Sequence, residues 1–330
     1  MSPSFAPVLL LWAAAPAASH LALEKVSETV YVVHPGPSET EAVSNAAFVV
    51  LPDRVLVFDT LSSRDLMDEM MGMIQGVTAL PVGMVALSHW HTDHSGGLDY
   101  FVSRPHNVYS APSTSEDMRQ HRDRQLAFLR KQEKEVASRA RAATDSSESE
   151  PLDLQLLAIR REQLRLGRAP THRTDHPVGG LTELTPGGRT VRLQHLGAGH
   201  TRGDLVVYLP AEKILLAGDV VPVTTLPNLA DADTTAWLQR LDEIEAIGAE
   251  KIVPGHGPVG GRADLAAMRK YLLMLRTLVK PIAATGTPKD LVEQLRTPPP
   301  YDAWSAQDLW FPGALRVFHE LRAAAPASGS

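Results

Sequence analysis

The 330-residue sequence predicts an α/β sandwich, and three observations support this prediction. Strand-like apolar segments alternate with segments whose apolar residues recur at helical spacing, as in folds that pack helices on sheets. Histidine and aspartate residues follow the ends of several strand-like segments. One long, highly charged stretch interrupts the alternation, and its composition predicts helices inserted into the sandwich.

The first half of the chain begins with strands and ends in a short strand before the charged stretch. Pro52 and Asp53 are expected at a hairpin turn, because both residue types favour tight turns. Ser62 or Ser63 is expected to cap the first helix. The predicted elements are opening strands at 21–34, a hairpin at 45–59, a helix at 61–77, a buried strand at 84–88, a helix starting within 96–102 and a strand at 106–112.

The charged stretch covers residues 113–170. Segment 113–142 lacks Pro and Gly and is rich in helix-forming residues. Residues 143–151 are expected to form a polar linker, and residues 152–167 a second helix that has an apolar face and stops at a glycine. We therefore predict an inserted helical hairpin, which is either a solvated excursion with one packed face or a lid or dimerisation arm.

The second half of the chain returns to strands and then to helices. Asp233 or Thr234 is expected to cap the helix at 234–248, which stops at a glycine. The other predicted elements are hairpins at 181–197 and 204–219, a long helix at 262–280 and two short helical segments within 285–330.

Composition excludes several functional classes. Hydrophobic residues make up 44% of the chain, and the net charge of −6 offers no basic surface for nucleic acid. The chain has no cysteine, so disulfides and thiolate chemistry are excluded. The apolar stretch at 6–18 ends in small residues, so residues 1–19 are predicted to be a signal peptide of a periplasmic or secreted protein. Otherwise the protein is expected in the cytoplasm, and no membrane association is predicted after processing.

Four potential metal ligands lie within HWHTDHSGG at residues 89–97. They are His89, His91, Asp93 and His94, and the apolar strand-like segment 84–88 leads into them. Neutral imidazole and carboxylate oxygens suit zinc, and carboxylates also suit iron. Such a group of side chains would be costly to bury without a cation.

Three further candidate ligands lie downstream. His200 follows the strand-like VRLQHL, Asp219 ends the apolar run KILLAGD, and His256 lies in KIVPGHGP. Each lies near glycine, which allows the backbone to turn sharply. The nearby Asp204 and His195 are interpreted as structural. The repetition of strand, turn and ligand predicts one shared metal site.

The whole pattern resembles the metallo-β-lactamase superfamily: H-x-H-x-D-H, a single His, an Asp after an apolar strand, and G-H-G. The resemblance covers about Leu23 to Leu278. It implies a four-layer αβ/βα sandwich at 20–285 that contains the helical insertion at 113–170, followed by a C-terminal helical extension at 286–330. Strand VLVFDT at 55–60 resembles an early family strand that ends in an aspartate, here Asp59, which orients a histidine ligand. Asn45 falls in the segment before that strand.

The resemblance also implies a ligand assignment. Its first metal would be held by His89, His91 and His200, its second by Asp93, His94 and His256, and both by the bridging Asp219. Two Zn²⁺ per chain are expected, with iron as an alternative, and no residues are assigned to any other cofactor. The implied reaction is hydrolysis, in which a metal-bridged hydroxide attacks a carbonyl carbon and Asp93 orients it or accepts its proton.

Asp219 narrows the substrate class without defining it. The resemblance implies a glyoxalase II-like ligand set, with an ester, thioester, lactone or lactam as substrate. Weak β-lactamase activity of the cysteine-free type stays open, as does an oxidoreductase similar to mono-iron sulfur dioxygenases. A non-catalytic metal-binding accessory protein is a further alternative.

The expected partners are a small-molecule substrate and, through the helical insertion, a second copy of the chain. Residues 220–233 are expected to form one wall of the substrate pocket, where Thr224, Thr225 and Asn228 could face a ligand. The remaining histidines are interpreted as surface or packing residues; they include His121 and His319.

Overall fold

A computed structural model describes residues 20–36, 44–101, 107–168 and 174–324. Seven strands form the first sheet, in the order in which they occur in the chain. They are β1 (Leu21–Lys25), β2 (Val30–Pro35), β3 (Ala46–Val50), β4 (Val55–Phe58), β5 (Val82–Ala86), β6 (Asn107–Ser110) and β7 (His176–Pro177). Pairing is antiparallel from β1 to β4 and parallel from β4 to β7.

Six strands form the second sheet, in the order β13-β12-β11-β10-β9-β8. They are β8 (Leu181–Leu184), β9 (Val191–Gly197), β10 (Asp204–Leu209), β11 (Ile214–Gly218), β12 (Lys251–Pro254) and β13 (Gly260–Gly261). Only β11 and β12 pair in parallel, and α5 forms the connection between them.

The described helices lie outside the two sheets or in the insertion. They are α1 (Arg64–Val77), α2 (Thr92–Ser95), α3 (Thr114–Ala142), α4 (Ser146–Arg168), α5 (Thr234–Ile247), α6 (Arg262–Thr285), α7 (Pro288–Gln294) and α8 (Trp310–Ala324). Ser63 caps α1 by accepting a hydrogen bond from the backbone N–H of Leu66, and Asp233 caps α5. Gly248 ends α5 in the left-handed conformation, as expected for a helix stop.

Three apolar cores divide the molecule into four layers. The middle core joins inward-facing residues of both sheets, such as Phe58 on β4 and Leu216 on β11. A second core packs α1 on the outer face of the first sheet. A third packs α5, α6, α7 and α8 on the outer face of the second sheet. This arrangement confirms the predicted αβ/βα sandwich.

The helical insertion forms a hairpin of α3 and α4 with a small core of its own around Val136, Leu156 and Ile159. The predicted linker at 143–151 is wrong in extent, because α4 already begins at Ser146 and includes Pro151. Asp145 accepts a hydrogen bond from the backbone N–H of Glu148. The polar residues therefore cap and open the helix instead of forming a loop.

The helix predicted to start within 96–102 is not an α-helix among the described residues, which in this segment end at residue 101. The chain instead forms the single-turn α2 and then a short 3-10 helix at Leu98–Phe101. Gly97 approaches the backbone of Thr60 so closely that a Cβ atom would lie 2.2 Å from the Thr60 carbonyl oxygen. The segment is thus shaped by close packing against the end of β4.

Residues 1–19, where a signal peptide is predicted, lie outside the described residues. None of the described helices has both the length and the apolar composition needed to cross a bilayer.

The loops at the carboxyl ends of the central strands meet at one edge of the two sheets. Two backbone hydrogen bonds link the sheets there: Leu205 N–H donates to Ser88 O over 2.8 Å, and Asn45 N–H donates to Gly255 O over 2.7 Å. Ligand sites in α/β folds commonly lie outside the carboxyl ends of strands. The candidate metal ligands lie at this edge.

Candidate metal centre

Each candidate ligand is positioned by the end of a buried strand. The 89–94 group follows β5, His200 lies between β9 and β10, Asp219 follows β11 directly, and His256 follows β12. Each of these strands contributes buried residues to the middle core and to one of the two outer cores, which fixes the position of its end. The structure brings all seven predicted ligands together, although they come from four separate parts of the chain.

One group of potential ligands consists of His89, His91, His200 and Asp219, whose ligand atoms all lie within 4.8 Å of one another. The Nδ1 atom of His91 lies 3.0 Å from the Nε2 atom of His200. The Nε2 atom of His200 lies 3.4 Å from Oδ2 of Asp219. This is the group predicted for the first metal, together with the predicted bridging aspartate.

A second group consists of Asp93, His94 and His256, again within 4.8 Å of one another. The Nε2 atom of His256 lies 3.1 Å from Oδ2 of Asp93 and 3.5 Å from Oδ2 of Asp219. The Nε2 atom of His94 lies 3.2 Å from Oδ1 of Asp219. Asp219 therefore contacts both groups, which is the position a bridging ligand requires.

Asp59 orients two of the histidines from the end of β4. Its Oδ2 atom accepts hydrogen bonds from Nδ1 of His94, over 2.8 Å, and from the hydroxyl of Ser88, over 2.7 Å. The Ser88 oxygen in turn accepts from Nδ1 of His89 over 2.9 Å. Because Nδ1 of both rings makes these contacts, the Nε2 atoms of His89 and His94 are the ones that face the centre.

Asp231 plays the same part for His91. Its Oδ2 atom accepts a hydrogen bond from Nε2 of His91 over 3.1 Å, which leaves Nδ1 of His91 as the lone pair that faces His200. The hydrogen bond from His91 lowers the pKa of Asp231 and keeps its carboxylate ionised. No motif in the sequence around Asp231 predicts this role.

The His200 loop is held by Asp204, as the structural interpretation of this residue predicted. The Asp204 carboxylate accepts hydrogen bonds from the backbone N–H groups of His200 and Thr201, over 2.6 and 2.9 Å, and from the Thr201 hydroxyl. All these groups are buried. Asp204 therefore fixes the turn that carries His200 without reaching the centre.

Close backbone approach explains a glycine beside His256. A Cβ atom on Gly255 would lie 2.0 Å from Oδ1 of Asp219 and 2.8 Å from the His94 ring. Asn45 also holds this turn, because its side-chain amide donates to the carbonyl groups of Pro254 and Gly257. The β3 and β12 ends are thereby fixed to each other.

The ionisable groups divide into neutral rings and charged pairs. Burial, together with neighbouring histidines, lowers the pKa of His89 well below its usual value, and burial lowers the pKa of His200 to about 3. Burial also acts to lower the pKa of His94, but Asp219 and two other carboxylates raise it well above normal. Burial would raise the pKa of Asp219, yet His256 and His94 hold it well below its usual value.

These donors fit a divalent cation. Metal ligands must be neutral imidazoles or ionised carboxylates, which is the state favoured for His89, His200 and Asp219. The buried Nε2 atom of His89 and Oδ1 atom of Asp219 have no hydrogen-bond partner among the described residues. Leaving such atoms buried and unpaired is costly, and cations at the two groups would satisfy them.

A pocket of about 550 Å³ opens beside the centre. Thr225 and Asn228 line it as the sequence suggested, whereas Thr224 does not belong to its lining. His121 also lines it and packs on Trp90, with ring centroids 4.6 Å apart, although it was interpreted as a surface or packing residue. Nothing local in the sequence identifies His121, because the contact depends on how α3 leaves β6.

Comparisons with known proteins agree with this geometry. The family model described as "Metallo-beta-lactamase superfamily" matches residues 40–256. A metallo-β-lactamase type 2 of Bacteroides fragilis is 40% identical over 93 residues, which are 26% of this chain and 37% of that protein. A linear primary-alkylsulfatase of a Pseudomonas species is 23% identical over 269 residues, 75% of this chain and 49% of that protein. The match thus spans half or less of either relative.

Solved structures share the fold. The FIM-1 metallo-β-lactamase of Pseudomonas aeruginosa, in its mono-zinc form, superposes with a TM-score of 0.55 and 18% sequence identity. The match covers 78% of this chain and 96% of that one. At this level of identity the similarity establishes the shared architecture.

Proposed function

The chain belongs to the metallo-β-lactamase superfamily, and from this premise we propose that it is a dinuclear zinc hydrolase acting on a carbonyl ester, thioester, lactone or lactam. One observation carries the proposal: two groups of imidazole and carboxylate donors, each within 4.8 Å, meet at Asp219, which lines an open pocket. The donor set of histidine and aspartate favours zinc over magnesium or calcium, which prefer oxygen ligands alone.

In this proposal His89, His91 and His200 hold one ion, Asp93, His94 and His256 hold the other, and Asp219 contacts both. Bound ions would supply a water of lowered pKa and an electrophile for the carbonyl oxygen. Asp59 and Asp231 fix which nitrogen of each ring faces the centre by accepting the opposite N–H, directly or through Ser88. His89 and His200 are buried, so bulk water is excluded from these two donors.

Asp93 is the residue proposed to move a proton. Its side chain is 26% exposed and lines the pocket, whereas the Asp219 side chain is only 9% exposed. Burial raises the pKa of Asp93, but His94 and His256 lower it, so the carboxylate is ionised and can accept a proton. We infer that Asp93 receives the proton of the attacking water and passes it to the leaving group.

Among the four proposed substrate types, the lactam has one observation for it and one against it. Relatives named metallo-β-lactamases support it, whereas Asp219 replaces the Cys or Ser that the resemblance associates with lactamases. A mono-iron oxidoreductase is the alternative outside this class. It would contain one iron per chain, so metal analysis separates it from the proposed enzyme.

The test combines metal analysis with a hydrolysis screen. We expect about two zinc ions per purified chain and turnover of at least one of the four substrate types. Chelation should abolish turnover, zinc should restore it, and the melting temperature should fall on chelation because the ions bind only the folded state. Unchanged turnover in the metal-free protein, or a single bound iron, would contradict the proposal.

A further inference from the structure

We propose that His121 is a substrate-binding residue, and that the preferred substrate carries an uncharged oxygen acceptor in its acyl chain, several bonds from the reacting carbonyl. The inference rests on the proposed hydrolase function and specifies its substrate class. It follows from a histidine of the helical insertion that lines the pocket but belongs to neither group of potential metal ligands.

The beginning of α3 fixes the position of His121. Asp117 lies one turn before His121 on the same face of the helix, and its carboxylate accepts a hydrogen bond from Nε of Arg202 over 2.7 Å. Arg202 lies in the loop between β9 and β10. The Ser113 hydroxyl also packs on this loop, because a Cβ atom on Gly203 would lie 2.6 Å from its oxygen. The His121 side chain is therefore held at a defined place beside the metal centre.

Trp90 links His121 to the metal centre. Its indole ring contacts both His91 and His121, with ring centroids 4.4 and 4.6 Å away. The two histidines make no direct ring contact in the part of the chain that the structure describes. His121 is thus one aromatic ring removed from a proposed metal ligand. It is placed to contact the part of a substrate that extends away from the reacting carbonyl.

The imidazole nitrogens of His121 are not used within the described structure. The ring packs on Trp90, and its other interactions among the described residues are electrostatic, without a hydrogen bond. The side chain is half-buried and borders the pocket. An imidazole carries at least one N–H in either protonation state, so His121 can always donate a hydrogen bond to a bound molecule.

Two other neutral polar side chains of the lining are engaged by the protein itself. The Thr225 hydroxyl donates to the carbonyl of Val223 over 3.2 Å and accepts from the Ser305 hydroxyl over 2.8 Å. The side-chain oxygen of Asn228 accepts from the backbone N–H of Ala230 over 3.0 Å. Asn228 therefore keeps only its amide N–H groups for a ligand, and it is the competing donor that an experiment has to distinguish.

The larger surfaces of the lining are apolar. They are provided by Trp90, Leu226 and Leu309. A hydrocarbon chain bound here gains from the burial of apolar surface, but it displaces water from the His121 N–H without replacing the lost hydrogen bond. An acyl chain with an oxygen beside this N–H gains from burial and satisfies the donor as well. The site should therefore discriminate against the analogue that lacks the oxygen.

Three pairs of matched esters test the inference. The 4-nitrophenyl esters of 3-methoxypropanoic, 4-methoxybutanoic and 5-methoxypentanoic acid are compared with those of pentanoic, hexanoic and heptanoic acid, in which a methylene group replaces the ether oxygen. His121→Phe removes the N–H and keeps an aromatic ring on Trp90. With the zinc-loaded protein we expect this variant to lower the ratio of kcat/KM for the methoxy ester to that for its isostere about fivefold in at least one pair.

The kinetic pattern distinguishes substrate binding from a structural role. The change should fall on KM and leave kcat nearly unaltered, because the contact is made away from the reacting bond. His121→Asn or His121→Gln, whose amide N–H groups lie near the two ring nitrogens, should return the ratio toward the wild-type value. His319→Phe is the matched control, because His319 is an exposed histidine on α8 outside the described lining. Unchanged ratios in all three pairs for His121→Phe, equal changes in the control, or a change only for Asn228→Ala would overturn the inference.

Binding measurements separate this inference from the proposed function. The anilides of the same six acids are slowly hydrolysed ligands, and calorimetry measures their dissociation constants. If none of the esters is cleaved, the hydrolase proposal fails alone. A selective loss of affinity for a methoxy anilide in His121→Phe, relative to its hydrocarbon isostere, still supports the inference. Unchanged relative affinities in all three pairs would refute it whether or not the esters are cleaved.

Discussion

The two nitrogens of each imidazole ring explain why the centre needs carboxylates that are not themselves proposed metal ligands. A neutral ring has one N–H and one lone pair, and a hydrogen bond to the N–H determines which nitrogen can bind a metal. Asp59 makes this choice for His94 directly and for His89 through Ser88, and Asp231 makes it for His91. The orientation of the histidine ligands therefore depends on Asp59, Ser88 and Asp231, which are not proposed as metal ligands themselves.

Asp231→Asn should weaken metal binding about tenfold, because the neutral amide is a poorer acceptor for the N–H of His91. Competition with a chromogenic chelator measures this change. Asp308→Asn is the control, since it removes a carboxylate from the same pocket lining without a contact to His91 in the described structure. Equal affinities of the two variants would show that the loss reflects pocket charge and not the His91 contact.

Asp59→Asn should have the larger effect, with metal affinity reduced about 100-fold. The amide N–H groups would take the place of an oxygen that accepts hydrogen bonds from His94 and Ser88. They would then face the N–H of His94 and the hydroxyl of Ser88, which are donors themselves. Asp59 has a φ of 63°, a conformation that asparagine tolerates well, so the backbone should be unaffected. Zinc content after dialysis gives the result, and circular dichroism verifies folding. A variant that retains both ions would disprove the orienting role.

At the scale of elements, the α3–α4 hairpin is joined to the sandwich chiefly through the beginning of α3. Its distal part has its own small core, and its outer surface exposes Phe128, Leu154 and Leu157. Asp117 and His121, near the start of α3, contact Arg202 and Trp90 of the metal-site region. The hairpin therefore contributes to the pocket wall at its base, and assembly through its exposed face stays a prediction.

Leu156→Asp should open the hairpin without unfolding the protein. Leu156 is buried in the hairpin core, and its loss should increase amide hydrogen exchange in α4 while the main melting transition changes little. The neighbouring Leu157 is 65% exposed, so Leu157→Asp should leave exchange unchanged. A large fall in melting temperature for Leu156→Asp would mean that the hairpin folds as one unit with the sandwich.

At the scale of the whole molecule, the C-terminal helix α8 belongs to the core that packs on the second sheet. Trp310, Val317 and Phe318 are buried together with residues of α5 and α6. Glu320 accepts a hydrogen bond from the backbone N–H of Thr234, and Arg316 donates to the carbonyl of Ala232. The helix therefore also supports the loop that carries Asp231.

Phe318→Ala should lower the free energy of unfolding by about 3–5 kcal/mol, because it leaves a cavity in a well-packed core. Leu315→Ala on the same helix should cost less than about 1 kcal/mol, because Leu315 is 38% exposed. Urea denaturation of both variants measures the difference. Similar values for the two would place α8 outside the cooperative core.

How much of the molecule could be predicted varies from part to part. The sequence identified features that depend on neighbouring residues alone. They are the spacing of HWHTDHSGG, the apolar strands before Asp219 and His256, and the cap and stop residues of α5. The superfamily and the four-layer fold are confirmed. The structure departs from the helix predicted within 96–102 and from the linker predicted at 143–151, because Gly97 packs on Thr60 and Asp145 acts as a cap, and neither contact follows from residue type alone.

Ligand chemistry and strand periodicity are properties of neighbouring residues, so the amino-acid order was enough to predict which side chains can bind metal and which strands precede them. The folded structure was needed to show that Asp231 orients His91 and that His121 and Asp308 border the same pocket, whereas the family resemblance had already implied that Asp219 contacts both groups. These residues are far apart in the chain. Their proximity arises from two sheets packing with their strand ends at one edge, which is a consequence of burying apolar faces over the whole molecule.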